Sequence, residues 1–359
     1  MAGKQSLEET VRDGLAAMGK DQRRRMIAAI QGVIDAQTAL DAGDEPEVAC
    51  CPHCGSVSIN RDGHDASGGQ RWRCRDCGRR FGRMRRSVLG ASKLDAAVWK
   101  KYAECLVDVL TLREAASKCG VSLKTAWFMR IRLLQCLYEL LPAFRVGAGN
   151  GCQLDECYFS ESFSGNHTRN PGFQMPRPPK KRGAKAMVGK QPHAQARRGI
   201  SKDKICVLTG VSDTGDFLFD VACRGPLTRA AAESRLEGRV GEGAIVTTDK
   251  HKAYPSALKK LEVAVHDSFD AKSHKINRIN AVHSSLSCFM DNFRGVATRR
   301  LGLYLAWFKW RWSFSTQNRA DMVELALRQA IEGSYADTRR DLVGSPYLFM
   351  DYYGWPAAA

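Results

Sequence analysis

Two groups of side chains in this sequence have types and spacings suited to chemistry. The first is Cys51-Pro52-His53-Cys54 followed, after residues 55–73, by Cys74-Arg75-Asp76-Cys77. Two Cys-x-x-Cys pairs at this separation have the spacing of a four-thiolate zinc ribbon. Each pair fits a tight knuckle, and Gly55 and Gly78 stand where such a turn needs a residue free to take positive φ. Four thiolates leave no open coordination position, so this zinc is expected to be structural. Thiol redox pairs share the same short motif and are the alternative. Cys50 sits one residue out of step, and His53 and His64 read as exposed polar residues.

The second group is Asp155 and Asp249. Asp155 ends the apolar part of the run Cys152 to Phe159, and Asp249 ends the run Ala244 to Asp249. Paired aspartates at strand ends suit Mg²⁺, which takes hard oxygen ligands and keeps several waters. Two such ions can activate an attacking oxygen and steady a leaving one in phosphoryl displacement. Glu156 follows Asp155 directly, so alternation sends it to the other sheet face, and it is read as secondary. A third polar group should come from a later helix. There Asn280, His283, Ser287 and Asp291 share one face by helical spacing.

The elements that must position these groups follow from periodicity. Residues 1–45 read as a helical segment and 46–86 as the ribbon. Residues 91–145 read as a helix-turn-helix region, with Thr111 and Glu114 as a capping box, Gly120 at the turn and Ser122 capping a second helix. From Gly151 the pattern changes. Strands are expected at Cys152–Phe159, Lys204–Val211 and Asp216–Cys223, with Asp213-Thr214-Gly215 as a hairpin turn. A helix over Thr228–Glu237, a buried strand to Asp249, a helix over His251–Leu261, a short strand at Val263–Val265 and helices from Arg278 complete the order. The expected fold class is therefore multidomain α/β. It comprises a zinc ribbon, a helix-turn-helix and a ribonuclease-H-like domain over 150–330, a mixed five-stranded sheet flanked by helices. Residues 331–359 read as a C-terminal tail.

Charge points to the partner. The 359 residues carry 55 Lys and Arg against 38 Asp and Glu, a net charge of +17 and a pI near 9.4. A polyanion, double-stranded DNA, is the natural partner. From Arg177 to Lys204 there are ten Lys or Arg and one acid, Asp203, and Pro176, Pro178 and Pro179 exclude regular structure. The loop 161–203 therefore reads as a phosphate-gripping insertion. The candidate DNA contacts are Arg71, Arg73, Lys124, Arg130, Lys180, Lys181, Arg182, Lys185, Arg197, Arg198 and Lys250. The aromatic stripe from Tyr304 to Phe314 reads as core, with a base-stacking platform as the alternative and Lys309 and Arg311 as further DNA contacts. Thirteen cysteines without an N-terminal signal sequence lead one to expect a reducing cytoplasm, and no apolar run approaches membrane-spanning length.

The ordered motifs CPHC…CRDC, LDECYF, TTDKHKAY and HSSLSCFMDNFRGVATRRLGLYLAWF resemble those of DDE-type insertion-sequence transposases of the zinc-ribbon-bearing, ISXO2-like subgroup. The likeness covers roughly residues 45–315. It implies a catalytic Mg²⁺ or Mn²⁺, recognition of terminal inverted repeats, and strand cleavage followed by strand transfer into target DNA. It also implies a homodimer or higher assembly on DNA, in a bacterial cytoplasm and associated with the nucleoid. The family helix usually carries a Glu about 34 residues after the second Asp. Here that position is His283, and no Glu lies on the helix. The expected catalytic and metal-holding set is thus Asp155, Asp249 and His283, with Asn280 as the alternative third member. An imidazole there tilts the site towards Mn²⁺. The missing Glu also leaves open a catalytically inactive descendant that acts as a DNA-binding regulator.

Overall fold

The computed structural model describes residues 48, 50–64, 70–82, 87–89, 92, 94–165, 176, 201–270, 276–293, 295–332 and 339–354. The expected N-terminal helical segment lies outside these, as do Lys180, Lys181, Arg182, Lys185, Arg197 and Arg198 of the basic loop. The chain divides into two compact units, one holding residues 1–85 with Ser212–Gly215, the other the remainder.

In the first unit, β1 (Ile59–His64), β2 (Gln70–Cys74) and β3 (Arg80–Gly82) form an antiparallel sheet in that order. Its small core is Cys51, Cys74 and Phe81, flanked by Val48, Ile59 and Trp72. Trp72 and Phe81 are opposed across β2 and β3 and stack at 6.4 Å. A core this small cannot hold a module together alone, which is the usual reason for a structural metal.

The second unit opens with α1 (Ala96–Val107), α2 (Leu112–Cys119) and α3 (Leu123–Leu140). Thr111 and Glu114 form the reciprocal capping box on α2, Gly120 ends that helix in the left-handed conformation, and the Ser122 hydroxyl caps α3. These helices share a core with the C-terminal part of the chain: Trp99, Tyr102, Ala115, Met129 and Ile131 cluster with Ala330 and Leu342. Ala330 lies on α8 (Arg319–Glu332) and Leu342 on α9 (Arg339–Gly344). The tail expected over 331–359 thus includes a short packed helix.

The main sheet comprises β4 (Gly151–Ser160), β5 (Lys204–Ser212), β6 (Phe217–Arg224), β7 (Ile245–Asp249) and β8 (Val265–Phe269), in the spatial order β6-β5-β4-β7-β8. β5 and β6 are antiparallel, while β4, β7 and β8 run parallel. This is the mixed five-stranded sheet of the ribonuclease-H-like pattern. Period-two alternation divides its two faces. Ile205, Val207 and Val211 pack into a core with α6 (Asn277–Asp291), α7 (Leu301–Ser313) and α8. Cys206, Leu208, Cys152, Leu154 and Val246 pack into the opposite core with α4 (Arg229–Leu236) and α5 (Tyr254–Lys260). Gly210 keeps the sheet closed against this second core. A Cβ there would stand 2.8 Å from Leu154 Cδ2 and 3.3 Å from Phe144.

β8 departs from expectation. The apolar triplet Val263-Ala264-Val265 suggested the strand, but the strand runs from Val265 through the more polar His266-Asp267-Ser268. It lies at the sheet edge, pairs only with β7, and is mostly exposed, so backbone pairing rather than burial makes it a strand. The aromatic stripe on α7 is core: Trp307 and Trp310 are fully buried. Lys309 and Arg311, read as further DNA contacts, instead donate to the Pro142 and Val107 carbonyls.

Candidate functional site

The four ribbon cysteines converge. Cys51 Sγ lies 3.7 Å from Cys77 Sγ, Cys54 Sγ lies 3.6 Å from Cys74 Sγ, and all four sulfurs fall within 4.8 Å of one another. A tetrahedral ion with Zn–S of about 2.3 Å sets its sulfurs about 3.8 Å apart, so the cluster fits zinc. The knuckles hold because Gly55 and Gly78, at φ of 75° and 67°, return their N–H groups to the Cys51 and Cys74 carbonyls. Backbone N–H groups, first that of Cys77, lower the pKa of the Cys74 thiol. Cys50 is outside the cluster.

The acidic site is assembled where β4 and β7 run parallel, Leu154 opposite Thr248. The next residue on each strand is an aspartate. Sequence reading set Glu156 aside, and the structure corrects that. The carboxylates of Asp155, Glu156 and Asp249 all present oxygens within 4.8 Å of one another. The alternation itself holds: Asp155 faces His283 on α6, and Glu156 faces Tyr254 on α5, with His251 just before that helix 3.6 Å away. Two side chains leaving opposite faces of β4 still meet where its pairing with β7 has ended, at Leu154 and Thr248. Asp155 Oδ1 folds back to accept the Glu156 N–H at 2.8 Å, and Asp249 Oδ1 accepts the His251 N–H at 2.9 Å.

The electrostatics are those of crowded, buried anions. Burial raises Asp155 to about 6, opposed by the Glu156 N–H and reinforced by Asp249. Burial raises Glu156 further, to about 8, and the charges of Asp249 and Asp155 add to it. The Glu156 side chain is 4% exposed, and the Tyr254 hydroxyl, fully buried on α5, interacts with it. Like charges forced together in so buried a site are what a divalent cation relieves.

His283 joins this site through Thr209. The Thr209 hydroxyl donates to the Asp155 carbonyl at 2.8 Å and stands 2.7 Å from His283 Nε2. A hydroxyl has one proton, so here it must accept from Nε2–H. That tautomer leaves the Nδ1 lone pair facing Asp155 Oδ2 at 3.6 Å. Burial lowers the imidazole to about 4, so it is neutral and available as a donor atom. Asn280, one turn earlier on α6, is half-buried and makes no hydrogen bond or ion pair with the cluster. Ser287 and Asp291, further along the same face, are exposed.

The expected DNA contacts separate by exposure. Arg73 on β2, Lys124 in the first turn of α3 and Lys250 after β7 are exposed, Arg71 is half-buried, and Lys250 pairs with Asp270 at 3.0 Å. Arg130 is a correction. It is 1% exposed, donates to the Leu110 carbonyl at 2.6 Å and lies 5.2 Å from the Trp307 ring centre. The capping motif set Arg130 on the second helix correctly, but burial of α3 turns it inward. Thr209 and Tyr254 were missed. A hydroxyl on the face of Ile205, Val207 and Val211 within an expected strand was the available signal for Thr209.

No family model and no curated protein matches the chain. Among solved structures, it is similar to a pre-cleavage Mos1 transpososome at 12% identity over 68% of this chain and 82% of that one, with a TM-score of 0.25. It is also similar to a simian T-cell lymphotropic virus intasome in complex with PP2A regulatory subunit B56 gamma. There the identity is 13% over 72% and 77%, with a TM-score of 0.27. A Mos1 strand transfer complex gives 11% over 69% and 82%, with a TM-score of 0.24. At these values no residue role passes from those proteins to this chain.

Proposed function

We propose that this chain is a metal-dependent DNA-cutting and -joining enzyme, a transposase of the DDE type. The observation that carries the reading is the meeting of Asp155, Glu156 and Asp249 past the pairing of two parallel strands, with the neutral His283 ring against Asp155. The ordered sequence motifs and the net charge of +17 support it. Asp155, Asp249 and His283 would hold Mg²⁺ or Mn²⁺, with Glu156 as a further oxygen donor. Such ions supply Lewis-acid stabilisation of a phosphoryl group and a more acidic attacking water or hydroxyl. The chain's own contribution is to fix these donors. Thr209 sets the His283 tautomer, and backbone N–H groups orient Asp155 and Asp249. The zinc ribbon, Lys124, Lys250 and the basic loop with Lys180, Lys181, Arg182, Lys185, Arg197 and Arg198 would grip the DNA of element ends and target. Assembly as a dimer or larger complex belongs to the same reading.

The test is a strand-nicking assay on DNA carrying the terminal repeats that flank the gene, with Mg²⁺ or Mn²⁺. Asp155→Asn and Asp249→Asn should each abolish nicking while end binding persists. A wild-type protein that binds those ends but never nicks them with either ion would instead make it a DNA-binding regulator.

A further inference from the structure

β5 and β6 bring two thiols together on the sheet face covered by α4 and α5. Cys206 and Cys223 are directly opposed partners in the antiparallel ladder. Opposed residues in such a ladder have Cα atoms about 4.5–5.5 Å apart, within the span of about 4.4–6.8 Å that disulfides bridge. The register slips immediately afterwards, since Val207 pairs with Val221 and leaves Ala222 as an extra residue. The ladder is therefore already loosened beside the pair, which eases side-chain adjustment. Cys206 is fully buried, whereas Cys223, on edge strand β6, is partly exposed and lies 3.5 Å from the Pro226 carbonyl.

We propose that Cys223 and Cys206 are an oxidisable pair, in which a hydroperoxide oxidises Cys223 and Cys206 resolves the product to a disulfide across β5 and β6. In the first step the Cys223 thiolate attacks one peroxide oxygen. An S–O bond forms, the O–O bond breaks, and the other oxygen leaves and takes a proton as water or alcohol. Sulfur loses two electrons to the peroxide. In the second step the Cys206 sulfur attacks that sulfenic sulfur. The S–S bond forms, the S–O bond breaks, and hydroxide leaves as water with the Cys206 proton.

The chemistry of the two sulfurs matches these roles. The Cys206 contact lowers Cys223 against its burial, with the Thr228 backbone and Arg235 assisting. The thiolate at the accessible edge strand is the attacking species. Burial and the same contact push Cys206 up, so it stays a thiol while Cys223 is oxidised, and its proton must pass to the leaving hydroxide as its sulfur attacks. Cys105 and Cys119 supply an internal contrast. Their sulfurs stand 3.9 Å apart, but both are buried and burial raises both thiols. Proximity alone does not make that pair reactive. Neither Cys206 nor Cys223 belongs to the carboxylate cluster, though the charge of Glu156 reaches Cys206.

The experiment uses the full-length, zinc-loaded protein, limiting hydrogen peroxide, alkylation of remaining thiols after unfolding, and tryptic mapping. Cleavage after Lys204 and Arg224 releases both cysteines on one peptide, residues 205–224. The expected product is that peptide unalkylated and two hydrogens lighter, formed before exposed Cys288 is oxidised and while Cys105 and Cys119 still alkylate. Cys206→Ser should stop at a dimedone-reactive sulfenic acid on Cys223, and Cys223→Ser should leave Cys206 a thiol. The proposal is overturned if both thiols in the wild type survive peroxide that oxidises Cys288. It is equally overturned if Cys223 oxidises without the internal disulfide. The wild-type map decides the matter even where a variant fails to fold.

Discussion

Glu156 and Asp155 carry the clearest electrostatic cost in the molecule. Both are carboxyls raised by burial and by their neighbours, to about 8 and about 6. A carboxyl raised on folding holds a proton that the unfolded chain releases. Its folded-state penalty is absent below the ordinary carboxylate range and grows as pH rises through that range towards the raised value. The protein without added divalent ions should therefore lose stability as pH rises from about 4 to about 8. Glu156→Gln should flatten the fall, and Mn²⁺ should raise the melting temperature more at pH 8 than at pH 6. Thermal denaturation across that range checks it, and a melting temperature equally insensitive to pH in both proteins would remove Glu156 from the site. Thr209 gives a second prediction. Thr209→Val keeps the shape but leaves His283 Nε2–H and the Asp155 carbonyl without their hydroxyl. Mn²⁺ affinity measured by calorimetry should fall about tenfold or more, as for other groups that orient metal ligands. Thr209→Ser should restore it, and wild-type affinity in the valine variant would show that His283 is held otherwise. Asp155 and Asp249 were legible in the sequence because each ends an apolar run. Glu156 was not, since alternation gives the face a side chain leaves from and not where its carboxyl arrives once the pairing of β4 with β7 has ended.

Among the elements, legibility followed burial. β5 is a buried run, and its pattern places it within a residue of the observed bounds; β7 is placed as closely, but it was expected to be buried throughout and is buried only at Val246 and Thr248, with Ile245 exposed. α4 begins just after Thr228, whose hydroxyl caps it, within a residue of the bounds expected from sequence. β8 shifted because an exposed edge strand owes its conformation to β7, and that partner is not visible in local sequence. α3 showed the opposite failure. Its caps were readable, but its inward-facing Arg130 looked like any basic residue of a surface helix. The ribbon is the element whose stability is most plainly assigned to one feature. Among the described residues, its three short strands enclose Cys51, Cys74 and Phe81 as buried apolar groups. Cys74→Ser combined with Cys77→Ser should remove about one zinc per chain, measured by metal analysis, and should unfold the ribbon strands, read by backbone amide protection. Unchanged zinc content in that double variant would show that the ion is held elsewhere.

At the scale of the whole molecule, charge sets the terms of any encounter with DNA. A net charge of +17 is concentrated by the tract Arg177–Lys204, where ten basic residues meet one acid. Several well-described basic side chains are already committed inside the protein. Arg130 holds a carbonyl beneath Trp307, Arg224 pairs with Glu161, and Arg311 holds the Val107 carbonyl. Counting arginines therefore overstates the surface available to phosphate, a distinction that only packing reveals. The exposed Arg73, Lys124 and Lys250 and the basic tract are the remaining candidates. Each phosphate neutralised releases condensed counterions, so log affinity should fall linearly with log salt, with a slope of about −0.9 per contact. Replacing Lys180, Lys181 and Arg182 together with Ala should weaken binding to all sequences alike and reduce that slope by about 2 to 3. Arg130→Lys, at a buried site, should leave the slope unchanged whatever it does to stability. Fluorescence anisotropy from low to moderate salt, on duplexes with and without the terminal repeat, measures both quantities. If the triple variant loses affinity for the repeat alone and keeps the wild-type slope, the loop reads bases, and the charge that holds the backbone lies elsewhere.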